Sequence, residues 1–233
     1  MDHLKALAPA ADFAEHLSRR LGVVDAIALH AALDGSAAPL SSPRGSTPAS
    51  GGIAAGIAQV RTALENTIAS AFAAEAGTTR LRFPEPAALV AGDAGVSYLP
   101  CLAFHRTASR QLEQRLGVLR AKVREALSRA SPPMRQLAAL DEVMEKALAS
   151  LELSSIAEIP ALLEQRFTQL HTEHRQSLAI VGSDDPHAWI QPGAWLARFR
   201  DEIKAVLYAE LDLRLQPVIG LAEALANETG IPH

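Results

Sequence analysis

The stretch that decides the fold runs from Gly193 to Asn227 and reads GAWLARFRDEIKAVLYAELDLRLQPVIGLAEALAN. At about 100° per residue, Leu196, Ile203, Leu207, Leu211, Val218, Leu221 and Leu225 fall on one broad arc, so the segment reads as an amphipathic helix. The arc is wider than one neighbour would cover, which places this helix at the centre of a bundle. Glu210 and Arg214 fall inside the same arc. With the acid four residues N-terminal to the base, the two are placed to pair along the helix in the favourable orientation. An in-face pair of this kind belongs to a core, or to an interface where Arg214 makes a planar contact with an acidic group of a partner. If it is buried, Arg214→Ala strands Glu210 and costs roughly 3–5 kcal/mol; at an exposed face the loss is below about 1 kcal/mol. Pro217 removes the amide that would bond the Leu213 carbonyl, so a kink or break is expected there.

Working upstream, Gly182 to Gly193 carries Asp184, Asp185, Pro186, His187 and Pro192 and reads as a turn, with Trp189 and Trp195 anchoring the corner. Leu162, Leu163, Phe167, Leu170 and Leu178 define a helix that begins near Ser155 or Pro160, and Met134, Leu137, Met144, Leu148 and Leu151 define the one before it. A longer helix through Leu102, Leu112, Leu116, Leu119, Val123 and Leu127 stops at Ser131-Pro132-Pro133. Between Thr78 and Pro100 the periodicity fails and prolines and glycines mark turns, so an ordered surface loop or lid is expected. Ile53, Ile57, Val60, Leu64, Ile68 and Phe72 give one further helical stripe. Residues 35–52 are Ser, Pro, Gly and Ala with one Arg and read as a flexible spacer; Gly51-Gly52 lacks the lysine and hydroxyl of a phosphate-binding loop. Residues 1–34, opened by a capping box at Asp12 and Glu15, form a short helical module.

The expected architecture is therefore all-α: an antiparallel helical bundle of about six or seven helices over 53–233, with a long C-terminal central helix, preceded by a spacer and an N-terminal module. Composition agrees. Hydrophobic residues make up 48% of the 233 and aromatic ones only 4%, so the apolar content is mainly Ala and Leu, strong helix formers. A net charge of -4 gives no global attraction to nucleic acid or anionic membranes. Cys101, the single cysteine, excludes an internal disulfide and a sulfur-rich metal site, which fits reduced cytoplasm. The N-terminal residues lack the pattern of a secretion signal, and no run of about 18 apolar residues spans a bilayer, so no membrane insertion is expected.

Candidate chemistry is sparse. The strongest charge signal is the cationic helix from Arg106 to Arg129, where Arg106, Arg110, Arg120 and Arg124 lie opposite the apolar arc. Such a face is either balanced by acids of neighbouring helices or offered to an acidic protein partner. Nucleic acid is the less favoured ligand, because no aromatics interleave for base stacking. His171, His174 and His187, with nearby Asp184 and Asp185, are ligand types for zinc or iron, but neither HExxH nor a paired ExxH is present. Cys101 beside His105 on one helix face lacks a third orienting group, and reads as a buried apolar cysteine. No catalytic residues and no cofactor are assigned.

Two stretches, FAEHLSRRLG from Phe13 with DAIALHAALDG from Asp25, and AELDLRLQPVIGLAEAL from Ala209 to Leu225, resemble an uncharacterised proteobacterial family known only as domain-of-unknown-function family 3348. The resemblance implies a cytosolic bacterial protein. Genes of that family tend to lie beside genes for membrane and OmpA-like envelope proteins, which implies an accessory to an envelope assembly. The reading taken forward is a non-enzymatic cytoplasmic interaction or scaffold protein that meets a protein partner through the basic face of the Arg106 to Arg129 helix, the loop from Thr78 to Pro100, or both, and is compatible with homo-oligomer formation. The alternatives are a metal-dependent enzyme at His171, His174 and His187, and nucleic-acid binding through the arginine helix.

Overall fold

The computed structural model describes residues 50–73, 81–90, 95–181 and 184–228. The module expected at 1–34 lies outside them, and of the spacer only 50–52 are described, where they open the first helix. In chain order the elements are α1 (Ser50–Ala71), α2 (Pro86–Leu89), α3 (Leu99–Ala130), α4 (Pro132–Val181), a 3-10 turn (Pro186–Ile190) and α5 (Trp195–Glu228). The fold is an all-α helical bundle. Among the described residues the nearest approach to a sheet is one isolated antiparallel bridge between Val90 and Val96. No helix of the described residues is long and apolar enough to cross a membrane.

The chain divides into two compact units. The larger takes in Pro48–Val123 and Ser154–His233, and the described part of the smaller is Arg124–Leu153. In the larger unit α5 occupies the centre. Leu196, Ile203, Leu207, Leu211, Val218, Leu221 and Leu225, the arc expected from the periodicity, are all buried along it, and Phe199 and Leu215 join them. Its pairings fix the directions of its neighbours. Arg61 bonds Asp212 and the Tyr208 hydroxyl donates to the Glu65 carbonyl, so α1 runs antiparallel to α5. Arg166 forks onto Glu202, at 2.8 Å and 2.6 Å, while Phe167 packs on Trp195 and Phe199, so the second half of α4 is antiparallel too. Tyr98 meets Phe199 and His105 meets Glu210, which makes α3 parallel to α5.

Few as they are, most of the described aromatics gather at one end of this bundle. Phe72, Phe83 and Phe104 form one cluster, and Tyr98, Phe167, Phe199, Trp195 and Trp189 form a chain of edge-on and tilted contacts. The expected surface loop before Pro100 caps that end: its described part buries Leu81, Pro86, Leu89 and Tyr98, and α2 packs on the 3-10 turn. Pro100 itself lies in the first turn of α3, where its missing N–H has no helical partner to lose. Gly193, at φ 84°, supplies the left-handed residue of the turn that launches α5.

Two expectations of helix breaks at prolines are corrected, the one near Pro160 and the break that was one of two outcomes expected at Pro217. The separate helices expected on either side of Pro160 are one helix, α4, with Pro160 inside it. A proline costs the helix one backbone bond. Packing of the turns that follow it outweighs that here, with Leu163, Phe167 and Leu170 buried and the Pro160 carbonyl accepting from Tyr98 Oη at 3.1 Å. Likewise α5 continues through Pro217 to Glu228, with Leu215, Val218 and Leu221 buried around it. The break at Ser131 is real: the Ser131 hydroxyl accepts from the Met134 amide, and Pro132 starts α4.

Candidate functional site

Three places bring chemically capable side chains together. The first is the core. Among the described residues the buried polar and charged side chains are His105, Ser109 and Glu210, and they meet at one point between α3 and α5. His105 Nε2 lies 2.7 Å from one carboxylate oxygen of Glu210 and Ser109 Oγ donates to the other at 2.6 Å. With the carboxylate as acceptor, the imidazole proton on that side belongs to Nε2. His105 Nδ1 is buried without a hydrogen-bond partner. Burial works to raise the Glu210 pKa, but the hydrogen bonds from His105 and Ser109, helped by the electrostatic pull of His105 and Arg214, outweigh it and hold the carboxyl below its ordinary value.

Glu210 is thus as buried as its place in the apolar arc implies, but its bonding partners are not the expected one. Arg214 makes no hydrogen bond to it. The guanidinium is half-buried, with Nε enclosed and unpartnered, and acts on Glu210 only through space. Two donors on the facing helix reach the carboxylate in better geometry than a side chain one turn along the same helix. Ser109 was not singled out from sequence and His105 was noted only beside Cys101. Both stand inside the apolar arc of α3 with Leu112 and Leu116, so the test that found Glu210 on α5 finds them on α3. Cys101, one turn before His105, is fully buried, and burial pushes its thiol up to about 12, far from the thiolate that nucleophilic chemistry needs.

The second place is the outer arc of α3. Arg106 and Arg110 are exposed and make no hydrogen bond or ion pair among the described residues. They fall in line with Leu99, which is 70% exposed, and on the same outer side as Val118, at 59%. Arg120 is half-buried with an interaction of its own. Arg124 does not belong to a free face: its Nη1 bonds Asp141 at 3.1 Å and Glu145 at 2.5 Å on α4. Arg129 pairs with Glu125 and Arg135 Nε donates to the Ser128 carbonyl. Toward the C-terminus of the basic helix Arg124 and Arg129 are thus paired with acids, while among the described residues Arg106 and Arg110 toward its N-terminus are not.

The third place is the corner before α5. Asp184 Oδ1 accepts from Trp189 Nε1 at 2.6 Å and lies 3.1 Å from His174 Nε2, stapling α4 to the 3-10 turn. Burial acts to raise the Asp184 pKa, yet these two bonds bring it below its ordinary value. His171 and His174 lean on the ring of Trp195, and burial, with Arg175, lowers the His171 pKa. His187 is exposed and meets Asp185 through its backbone N–H at 2.9 Å. The histidines that sequence reading offered as a metal set do not converge. Among the described residues no three His, Cys, Asp or Glu side chains are placed to hold a metal ion.

What the fold and these places define is a helical bundle whose buried polar groups join its helices to one another and whose helix α3 carries exposed arginines on its outer arc. The chain belongs to the family described as "Protein of unknown function (DUF3348)", which it matches over residues 1–227. No curated protein and no solved structure was found to match it.

Proposed function

We propose that the chain is a non-enzymatic interaction protein of the cytoplasm, which docks an acidic protein partner on the outer arc of α3. The carrying observation is the contrast among its arginines. Arg61, Arg124, Arg129 and Arg166 each meet a carboxylate of the chain, whereas Arg106 and Arg110, one turn apart, stand exposed beside the large exposed side chain of Leu99. Guanidinium groups beside apolar surface suit carboxylates carried on an amphipathic protein segment. The polar clusters support the same reading, since the buried one joins two helices and the corner one staples a turn. The resemblance to a family encoded beside envelope genes makes an envelope-assembly component the first partner to try.

The test is a crosslinking pull-down from bacterial cells with three versions of the full chain: unaltered, Arg106→Glu with Arg110→Glu, and Arg115→Glu with Lys122→Glu. The last pair is also exposed but lies on another edge of α3, so it matches the change in charge. A protein captured by the unaltered chain and by the control, and lost from the Arg106 and Arg110 variant, supports the reading. Loss from both variants alike counts against this arc as the site. Copurifying nucleic acid whose affinity falls steeply with salt favours the rival ligand instead.

A further inference from the structure

A core carboxylate whose two oxygens both accept hydrogen bonds from another helix is a contact with two states. Closed, it requires the charge: bonds from Nε2–H and Oγ–H to an ionised carboxylate are roughly twice as strong as neutral ones. A proton on Glu210 removes the charge from both bonds, requires either the Ser109 hydroxyl to turn round as acceptor or the imidazole to give up its Nε2 proton, and leaves Arg214 beside a neutral group. We infer that His105, Ser109 and Glu210 form a proton-operated latch between α3 and α5, closed while Glu210 is ionised and released when that carboxylate takes up a proton.

The groups that face Glu210 are His105 and Ser109 from α3, and Arg214 from its own helix. The charges that α1 and α4 bring to α5 are engaged elsewhere, Arg61 with Glu65 and Asp212, and Arg166 with Glu202. The sign follows from the closed state holding the ionised form. A carboxyl kept below its ordinary value when closed stabilises that state above the ordinary range, and the stabilisation is lost as pH falls through the lowered value. Arg106 and Arg110 directly follow His105 and Ser109, so the latch seats the helix that carries the proposed docking arc. That consequence rests on the docking reading; the latch does not.

Cys101 is the reporter. It is the single cysteine, wholly buried, one turn before His105 on the inner face of α3. Its reaction with 4,4′-dithiodipyridine, which reads thiols in acid, is timed on the full chain at falling pH and divided by the rate for a short peptide of the same local sequence. Below about pH 4.5 the ratio should rise by up to about tenfold per pH unit in the unaltered chain. In Glu210→Gln it should be raised already at neutral pH and be flat. Helical circular dichroism is followed in the same samples and should hold steady through the rise. An equally steep rise in Glu210→Gln, or a rise that only tracks loss of helix, overturns the latch. If Glu210→Gln does not fold, Ser109→Ala serves: with one bond to the carboxylate gone, the ratio should already be raised at neutral pH and its total rise in acid should shrink, and a profile identical to that of the unaltered chain overturns the latch as well. None of these rates depends on a partner, so a failed docking reading leaves them as they are.

Discussion

The sharpest disagreement between local rules and the structure concerns what holds Glu210, and it can be measured. Three single substitutions, His105→Ala, Ser109→Ala and Arg214→Ala, are compared with the unaltered chain by chemical denaturation followed by helical circular dichroism. Ser109→Ala removes one hydrogen bond to a buried charged acceptor, worth about 1.5–3 kcal/mol. His105→Ala removes the other bond and also empties the space of a side chain only 1% exposed, so about 3–5 kcal/mol is expected. Arg214 has no hydrogen bond to Glu210, and its loss removes a through-space attraction while relieving an enclosed, unpartnered Nε; about 1 kcal/mol or less should go. A double-mutant cycle of His105→Ala with Glu210→Gln separates the bond from the cavity and should return a coupling of about 2–3 kcal/mol. Arg214→Ala costing as much as His105→Ala, or a coupling near zero, would refute the assignment of the carboxylate to α3.

Two further outcomes are expected. Trp189→Phe keeps the ring packing but withdraws the donor from Asp184, so stability should fall by about 1 kcal/mol and the Asp184 pKa should climb back toward its ordinary value in an NMR titration. Arg124→Ala, which unties Asp141 and Glu145, should lower stability by about 1–2 kcal/mol and leave partner capture unchanged; unchanged stability with lost capture would return Arg124 to the binding face.

What could be read from sequence follows the range of the forces involved. The α5 arc was legible because helical periodicity is local, and so was the burial of Glu210 within it. The partner of Glu210 was not, since an in-helix rule sees one residue four positions away while the true donors lie 105 and 101 residues away. Pro160 misled for a related reason: proline's penalty is local, and the packing of Tyr98 and Phe167 that offsets it is tertiary. At the corner, Trp189 and Trp195 were placed correctly, and His171 and His174, offered as ligand types only as an alternative to a solvent-facing pair, pack on the Trp195 indole, a contact that helical spacing does not reveal. The basic helix was legible as charge, and only the position of Asp141 and Glu145 showed which of its arginines are taken.

The central place of α5 also bears on the order in which the chain can fold. The helices that surround it, α1, α3 and the second half of α4, all leave the ribosome first, and each presents its apolar stripe to a helix not yet made. The parallel pairing of α3 with α5 cannot form locally, because a whole antiparallel helix intervenes. At roughly 5–20 residues per second of synthesis, the earlier helices wait many seconds for the segment that completes their core. A ribosome-bound chain lacking α5 should therefore stay open to proteases and chaperones, and should become compact only once Leu225 has cleared the exit tunnel.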